Sequence, residues 1–345
     1  MANYLNTVQL TEMDSIPPGL LETSPERIHD LLQGPTLIHL AGKHQSPLFV
    51  SVLLHGNEPV GLQAVQNLLK KYQQQNLNLP RSLSILIGNT LAASQGKRRL
   101  DVQPDYNRIW PGTELPVSPE TMMAENVVNI MQQKNIFASI DIHNNTGLNP
   151  HYACINKLEN DFLQLASLFG RMVVYFVRPK GVQSAAFAKI CPAVTLECGR
   201  PGQLQGVEHA MEFINSCLHL SEFPNHAPKA QDLDLYHTVA QVKVDESISF
   251  GFQQDGADLL LDKEIECMNF NEIPAGTILG KVNGNIKSIP LLAIDENGQN
   301  VSNNFFKLCD NELQINRRTM PSMLTLDEKI IKQDCLCYLM ERIHP

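Results

Sequence analysis

His55 and Glu58, three positions apart in His55-Gly56-Asn57-Glu58, offer an imidazole nitrogen and a carboxylate oxygen. Those donors suit a divalent metal ion, zinc above all. The apolar run Leu48-Phe49-Val50-Ser51-Val52-Leu53-Leu54 ahead of them reads as a buried strand. Pro59 and the apolar spacing of Val60, Ala64, Val65, Leu68 and Leu69 predict a helix over about 60–75. The pair therefore belongs at the carboxyl end of a strand, where open α/β sheets bind ligands. His-x-x-Glu alone arises often by chance, so the chemistry requires a third ligand and a base from elsewhere in the chain.

Two further strand ends supply candidates. His143 follows the strand predicted at Ile136–Ile142 and is the candidate third ligand; the alternative is a histidine bonded to loop backbone. Asp141, two residues back and on the same side of the strand, is placed to orient that ligand or its neighbours. Glu197 closes the apolar run Ala193–Leu196. A carboxylate in such a place is costly unless it is ion-paired, metal-bound or catalytic. Burial raises its pKa, which suits a group that takes a proton from water and returns it to a leaving amine. The alternative is a buried ion pair with Arg200 or another arginine. Between these blocks, a long loop from Ala92 to Glu114 carries Gln95-Gly96-Lys97-Arg98-Arg99 and Asp105-Tyr106-Asn107-Arg108. Loops of this length are usually functional or disordered, and the polar residues beside Trp110 favour function. Arginine presents planar donors for carboxylates and developing oxyanions.

Taken together, His55-x-x-Glu58, Asp105-x-Asn107-Arg108, Asp141-x-His143-Asn144 and Thr195-Leu196-Glu197-x-Gly199 resemble the succinylglutamate desuccinylase/aspartoacylase family, relatives of the zinc carboxypeptidases. The resemblance covers about residues 48–220, and Met268-Asn269-Phe270 through Pro274-Ala275-Gly276-Thr277 resembles a segment of the family's C-terminal β domain. It implies one zinc ion per chain held by His55, Glu58 and His143, with Glu197 as general acid/base. It also implies that Arg98 polarises the scissile carbonyl, with Arg99 a competitor for that role. Asn107 and Arg108 would hold a substrate carboxylate, and Asn144 is grouped with them as substrate-binding. The implied reaction is hydrolysis of the amide bond of a small N-acyl amino acid. The alternatives are a zinc carboxypeptidase acting on peptides and a non-catalytic metal-binding homologue. One departure bears on the substrate: relatives acting on acidic N-acyl amino acids carry an Arg ten residues before the base, where this chain has Phe187, with Lys189 nearby. A second carboxylate then lacks its partner, which implies substrates with fewer acidic groups.

Positioning these blocks requires alternating elements. Strands are expected at Thr36–Leu40, Leu48–Leu54, Leu83–Ile87, Ile136–Ile142, Tyr152–Ile155, Val173–Phe176 and Ala193–Leu196, and helices near 60–75, 119–134, 158–170 and 206–220. The pattern predicts an α/β fold with a mostly parallel or mixed sheet flanked by helices over residues 1–224, and the resemblance implies that it is zinc carboxypeptidase-like. After the linker Pro224–Pro228, short glycine-punctuated strands predict a smaller β-rich C-terminal domain over 225–345.

Composition narrows the class. At 345 residues with 43% hydrophobic and 18% charged residues, the chain can bury a large core. A net charge of −9 argues against non-specific nucleic-acid binding and docking on anionic membranes. No apolar run approaches the ~20 residues of a membrane span. Met1-Ala2-Asn3-Tyr4-Leu5 lacks the features of a signal peptide, and the eight cysteines are scattered without a Cys-x-x-Cys. A cytoplasmic protein is expected, with a small-molecule substrate as partner and a homo-oligomer left open.

Overall fold

A computed structural model describes residues 8–253 and 256–343; Met1–Leu5, read above for a leader, lie outside them. The chain divides into two compact units. The first comprises Met1–Asn144, His151–Tyr175 and Pro179–Asp234, and the second Asn145–Pro150, Phe176–Arg178 and Leu235–Pro345.

The first unit is a mixed sheet flanked by helices. Its strands are β1 (Thr11–Met13), β2 (Thr36–Leu40), β3 (His44–Val52), β4 (Arg81–Ile87), β5 (Ala138–His143), β6 (Tyr152–Ile155), β7 (Met172–Tyr175) and β8 (Ala193–Glu197), in the order β1-β2-β4-β3-β5-β8-β6-β7. β3, β5 and β8 are adjacent and parallel, while β2 against β4 and β6 against β8 run antiparallel. Every residue of β5 and β8 is buried, as expected of central strands covered on both faces. The helix Val60–Gln74 carries the chain from β3 to β4 on one side, whereas β5 returns to the other side of β3. The chain thus reverses direction across the sheet at β3, the kind of place where α/β sheets bind ligands.

Two differences from the sequence reading have local causes. β3 stops at Val52 because Leu53 adopts φ 55°, a left-handed conformation that a leucine enters only under tertiary constraint. A short helix, Gln183–Phe187, went unread because five residues are too few to show helical periodicity. Phe187 on it is fully buried, stacked on Phe49 with ring centroids 4.6 Å apart and met edge-on by Trp110 at 5.9 Å. Lys189 lies past the helix C-cap and is exposed.

The second unit is β-rich. Its five-stranded sheet runs Phe250–Gly251, Leu259–Leu261, Ile278–Val282, Glu312–Ile315, Phe306–Cys309. The long strand Asp234–Val244 pairs antiparallel with both Leu291–Ile294 and Cys337–Arg342. Val242, Leu259, Ile265, Leu313 and Leu339 belong to its core. The four strands from Phe306 onward were not anticipated, because their alternation is interrupted by Asn, Asp and Pro321. All eight cysteines are free thiols, and among the described residues no helix is long and apolar enough to cross a membrane.

Phe187→Ala should lower the unfolding free energy by about 3–5 kcal/mol, the usual cost of deleting a buried aromatic ring. Urea denaturation measures it; a change below about 1 kcal/mol would contradict the packing described.

Candidate metal centre

The three central parallel strands end side by side, and each delivers one block of the site. Beyond β3, the left-handed Leu53 turns the chain so that its carbonyl accepts the Asn89 N–H at 2.7 Å. His55 and Glu58 follow in the turn before the helix Val60–Gln74. The turn admits no side chain at Gly56: a Cβ there would lie 2.2 Å from the Ala93 backbone nitrogen. β5 ends on His143 and β8 on Glu197, and these two residues are register partners. Partners on adjacent parallel strands stand about 4.8 Å apart on the same face.

The side chains converge on Glu58. His55 Nδ1 lies 2.8 Å from Glu58 Oε1 and His143 Nδ1 lies 2.7 Å from Oε2. The Asn144 backbone N–H donates to Oε2 at 3.2 Å. The outer nitrogen of each imidazole is held by a different aspartate: His55 Nε2 by Asp105 Oδ1 at 2.9 Å, His143 Nε2 by Asp141 Oδ2 at 2.8 Å. An ionised carboxylate only accepts, so each imidazole donates from Nε2 to its aspartate and from Nδ1 to Glu58, and the Nδ1 hydrogen is the one a metal ion would replace. One ligand atom from each of His55, Glu58 and His143 fits within a span of 4.8 Å, and all three residues are buried.

The electrostatics favour a cation at this point. Burial lowers the His143 pKa, but Asp141 and Glu58 overcome it and hold the imidazole well above its ordinary value. For His55, burial and Arg98 act downward, and Glu58 with Asp105 prevail. Burial raises Glu58, yet the two imidazoles keep it far below the usual carboxylate range. Two imidazole nitrogens and a carboxylate, each oriented from behind by a hydrogen-bond partner, form a donor set that fits zinc.

The loop after β4 is irregular yet anchored. Gln103, 3% exposed, accepts from Asn89 Nδ2 and from the Leu100 N–H, both at 3.0 Å. Trp110, fully buried, donates from Nε1 to the Tyr106 carbonyl at 2.9 Å. Arg98 enters the site, donating to Asp105 Oδ2 at 3.0 Å and reaching within 3.5 Å of Glu58 Oε1. Arg99 instead holds the Gln103 carbonyl at 2.9 Å. Asn107 Nδ2 lies 3.3 Å from His143 Nε2, while its Oδ1 accepts from the Gln183 N–H at 3.2 Å. Arg108 donates to the Asn107 carbonyl at 2.8 Å.

Asn144 accepts from the Val60 N–H at 3.2 Å and donates to the Gly199 carbonyl at 2.9 Å, tying the helix start to the end of β8. Glu197 is 6% exposed. Burial, reinforced by the charge of Glu197, pushes the Cys154 and Cys198 thiols well above their ordinary pKa.

Two participants had no assigned role in the sequence. Asp105 was visible only as part of a motif, and Ser51 as one polar residue inside an apolar strand. Ser51 donates to Asp141 Oδ1 at 2.7 Å.

Residues 46–217 match the sequence model described as the succinylglutamate desuccinylase/aspartoacylase catalytic domain. Among solved structures, succinylglutamate desuccinylase from Chromobacterium violaceum superposes with a TM-score of 0.60 at 16% identity, over 90% of this chain and 89% of that one. Murine aminoacylase 3 gives 0.55 at 15%, over 88% and 97%. The ectoine utilization protein EutE from Ruegeria pomeroyi gives 0.54 at 15%, over 88% of each chain. At these identities the likeness establishes a shared fold. No curated protein matches the chain by sequence.

Gly56→Ala should destabilise the fold by more than about 2 kcal/mol, because the backbone it would strike has no flexible end to move aside. Thermal unfolding measures this, and a melting temperature equal to the parent's would show that the turn is looser than described.

Proposed function

The chain belongs to the succinylglutamate desuccinylase/aspartoacylase family, and we propose that it is a zinc-dependent hydrolase of the amide bond in small N-acyl amino acids. The observation carrying the reading is the convergence of His55 Nδ1, His143 Nδ1 and both Glu58 oxygens, with a separate aspartate behind each histidine. His55, Glu58 and His143 would hold the zinc. Such an ion supplies Lewis acidity to water and to the scissile carbonyl.

The remaining steps fall to the chain's own groups. Glu197, in register with His143, takes a proton from the attacking water and delivers it to the departing amine. Arg98, fixed by Asp105, donates to the carbonyl oxygen as negative charge develops there. Asn107 and Arg108 bind the substrate carboxylate. Asn144 supports the site by holding Glu58 through its backbone and the ends of two elements through its amide. The products are a carboxylic acid and a free amino acid.

The relatives named for desuccinylation bear on the substrate. Phe187 cannot serve a second carboxylate, since it is sealed beneath Phe49 and Trp110, and Lys189 faces solvent beyond the helix end. A buried unpaired carboxylate costs several kcal/mol. The proposed substrates are therefore N-acyl amino acids with few acidic groups.

Two experiments test this. Glu197→Gln should retain about one zinc per chain while kcat falls at least ~10², whereas His143→Ala should lose the metal. Full activity in the first variant would assign the proton to another group, and zinc lost from it would make Glu197 a ligand. Separately, kcat/KM should be higher for neutral N-acetyl amino acids than for N-succinylglutamate or N-acetylaspartate. A preference above tenfold for a dicarboxylic substrate, about 1.4 kcal/mol, would overturn the substrate assignment.

A further inference from the structure

We infer that Ser51 is a positioning residue of the metal centre, acting through Asp141 on the ligand His143; the inference rests on the zinc reading above. Ser51 and Asp141 are register partners on β3 and β5, and both are fully buried. Ser51 therefore cannot act by touching solvent. It is the one polar side chain in the run Leu48–Leu54, where a hydroxyl is costly unless it is bonded. Its hydrogen goes to Asp141 Oδ1 at 2.7 Å rather than to the Ile140 carbonyl at 3.5 Å. That short separation is typical of a hydroxyl donating to an ionised carboxylate.

The two histidines are supported differently, and the difference makes Ser51 matter. Asp105, behind His55, also takes Arg98 and the Asn107 N–H. It stays fixed if any one partner is lost. Asp141, behind His143, has no such reserve: among the described residues its ionic partner is His143 alone, and its other side-chain bond is the one from Ser51. Without that bond Oδ1 is unsatisfied and the carboxyl plane is free to turn about its terminal torsion. The stop that keeps Nε2 hydrogen-bearing and Nδ1 facing Glu58 is then lost. Outer partners of this kind typically carry 10–100-fold in metal affinity.

The test is the zinc dissociation constant of the full chain, measured by competition with a chromophoric chelator. It compares wild type, Ser51→Ala, Ser51→Thr, Asp141→Asn and the Ser51→Ala/Asp141→Asn double variant. Ser51→Ala should weaken zinc binding at least about tenfold, and Ser51→Thr, which keeps the hydroxyl, should bind more tightly than Ser51→Ala. The double variant should bind no more weakly than Asp141→Asn, because Ser51 works only through that carboxylate. A folded Ser51→Ala protein that binds zinc within about twofold of wild type overturns the inference, as do losses that multiply in the double variant. If Asp141→Asn does not fold, the comparison of wild type with Ser51→Ala decides alone. A wild-type chain that binds no zinc overturns the metal reading itself, and this inference with it.

Discussion

Glu58 is shared between two imidazoles, and that shared carboxylate is the constraint on which the rest of the site depends. Each of its oxygens faces a different histidine at under 3 Å, and a backbone N–H fixes one of them. Such a geometry requires two strand ends and a helix start to meet at fixed spacing. Burying Glu58, Asp141 and Glu197 together, with Asp105 half-buried beside them, would be prohibitive without positive charge, because isolated carboxylates lose their hydration at a cost no packing recovers. Arg98 is one source of that charge. The imidazoles of His55 and His143, each facing one Glu58 oxygen, are a second. The acidic cluster and the cation it is proposed to hold are thus two sides of one electrostatic balance.

The sheet supplies the precision that this balance needs. Ser51, Asp141 and Thr195 form one rung across β3, β5 and β8, and His143, Glu197 and Tyr152 form the next across β5, β8 and β6. Side chains in successive same-face rungs are about 7 Å apart along a strand. The aspartate and its histidine can therefore meet at hydrogen-bond distance with no loop flexibility between them. Where a strand cannot reach, backbone strain does the work: the left-handed Leu53, fully buried, lets His55 depart from the line of β3. Strain of this kind costs of order 1–3 kcal/mol and persists only where the surroundings over-determine it.

Much of this was legible in the sequence, for identifiable reasons. β3, β5 and β8 are mostly apolar where they cross the core because both faces are covered, so the polar residues at or just past their ends, His55, His143 and Glu197, stood out. Asp105 and Ser51 did not stand out, because what they do depends on partners 50 and 90 positions away, His55 and Asp141. The choice between Arg98 and Arg99 was equally invisible: adjacent residues on an irregular loop carry no periodicity to sort them, and only the fold sends one to Asp105 and the other to the Gln103 carbonyl. The short helix bearing Phe187 was missed for want of length. In the second unit, the later strands were missed because their inward residues are few and interrupted.

The division of labour follows from which parts are rigid. The proposed chemistry sits on three strand ends and a helix start, where register leaves little freedom. The groups proposed to select the substrate, Asn107 and Arg108, sit on a loop held by Gln103, Trp110 and a main-chain bond from Trp110 to Gly181. Gly181 takes φ +73°, and a Cβ there would approach the Arg108 carbonyl to 2.3 Å, so the loop's course at Arg108 is set by that contact. Phe187 closes the same region from beneath by filling space between Phe49 and Trp110. A cation introduced at position 187 would have to displace this aromatic packing before it could meet a ligand. A cation at position 187 is therefore more than one substitution: it would require rebuilding the core that holds the loop, whereas the strand ends proposed to bind metal could remain as they are.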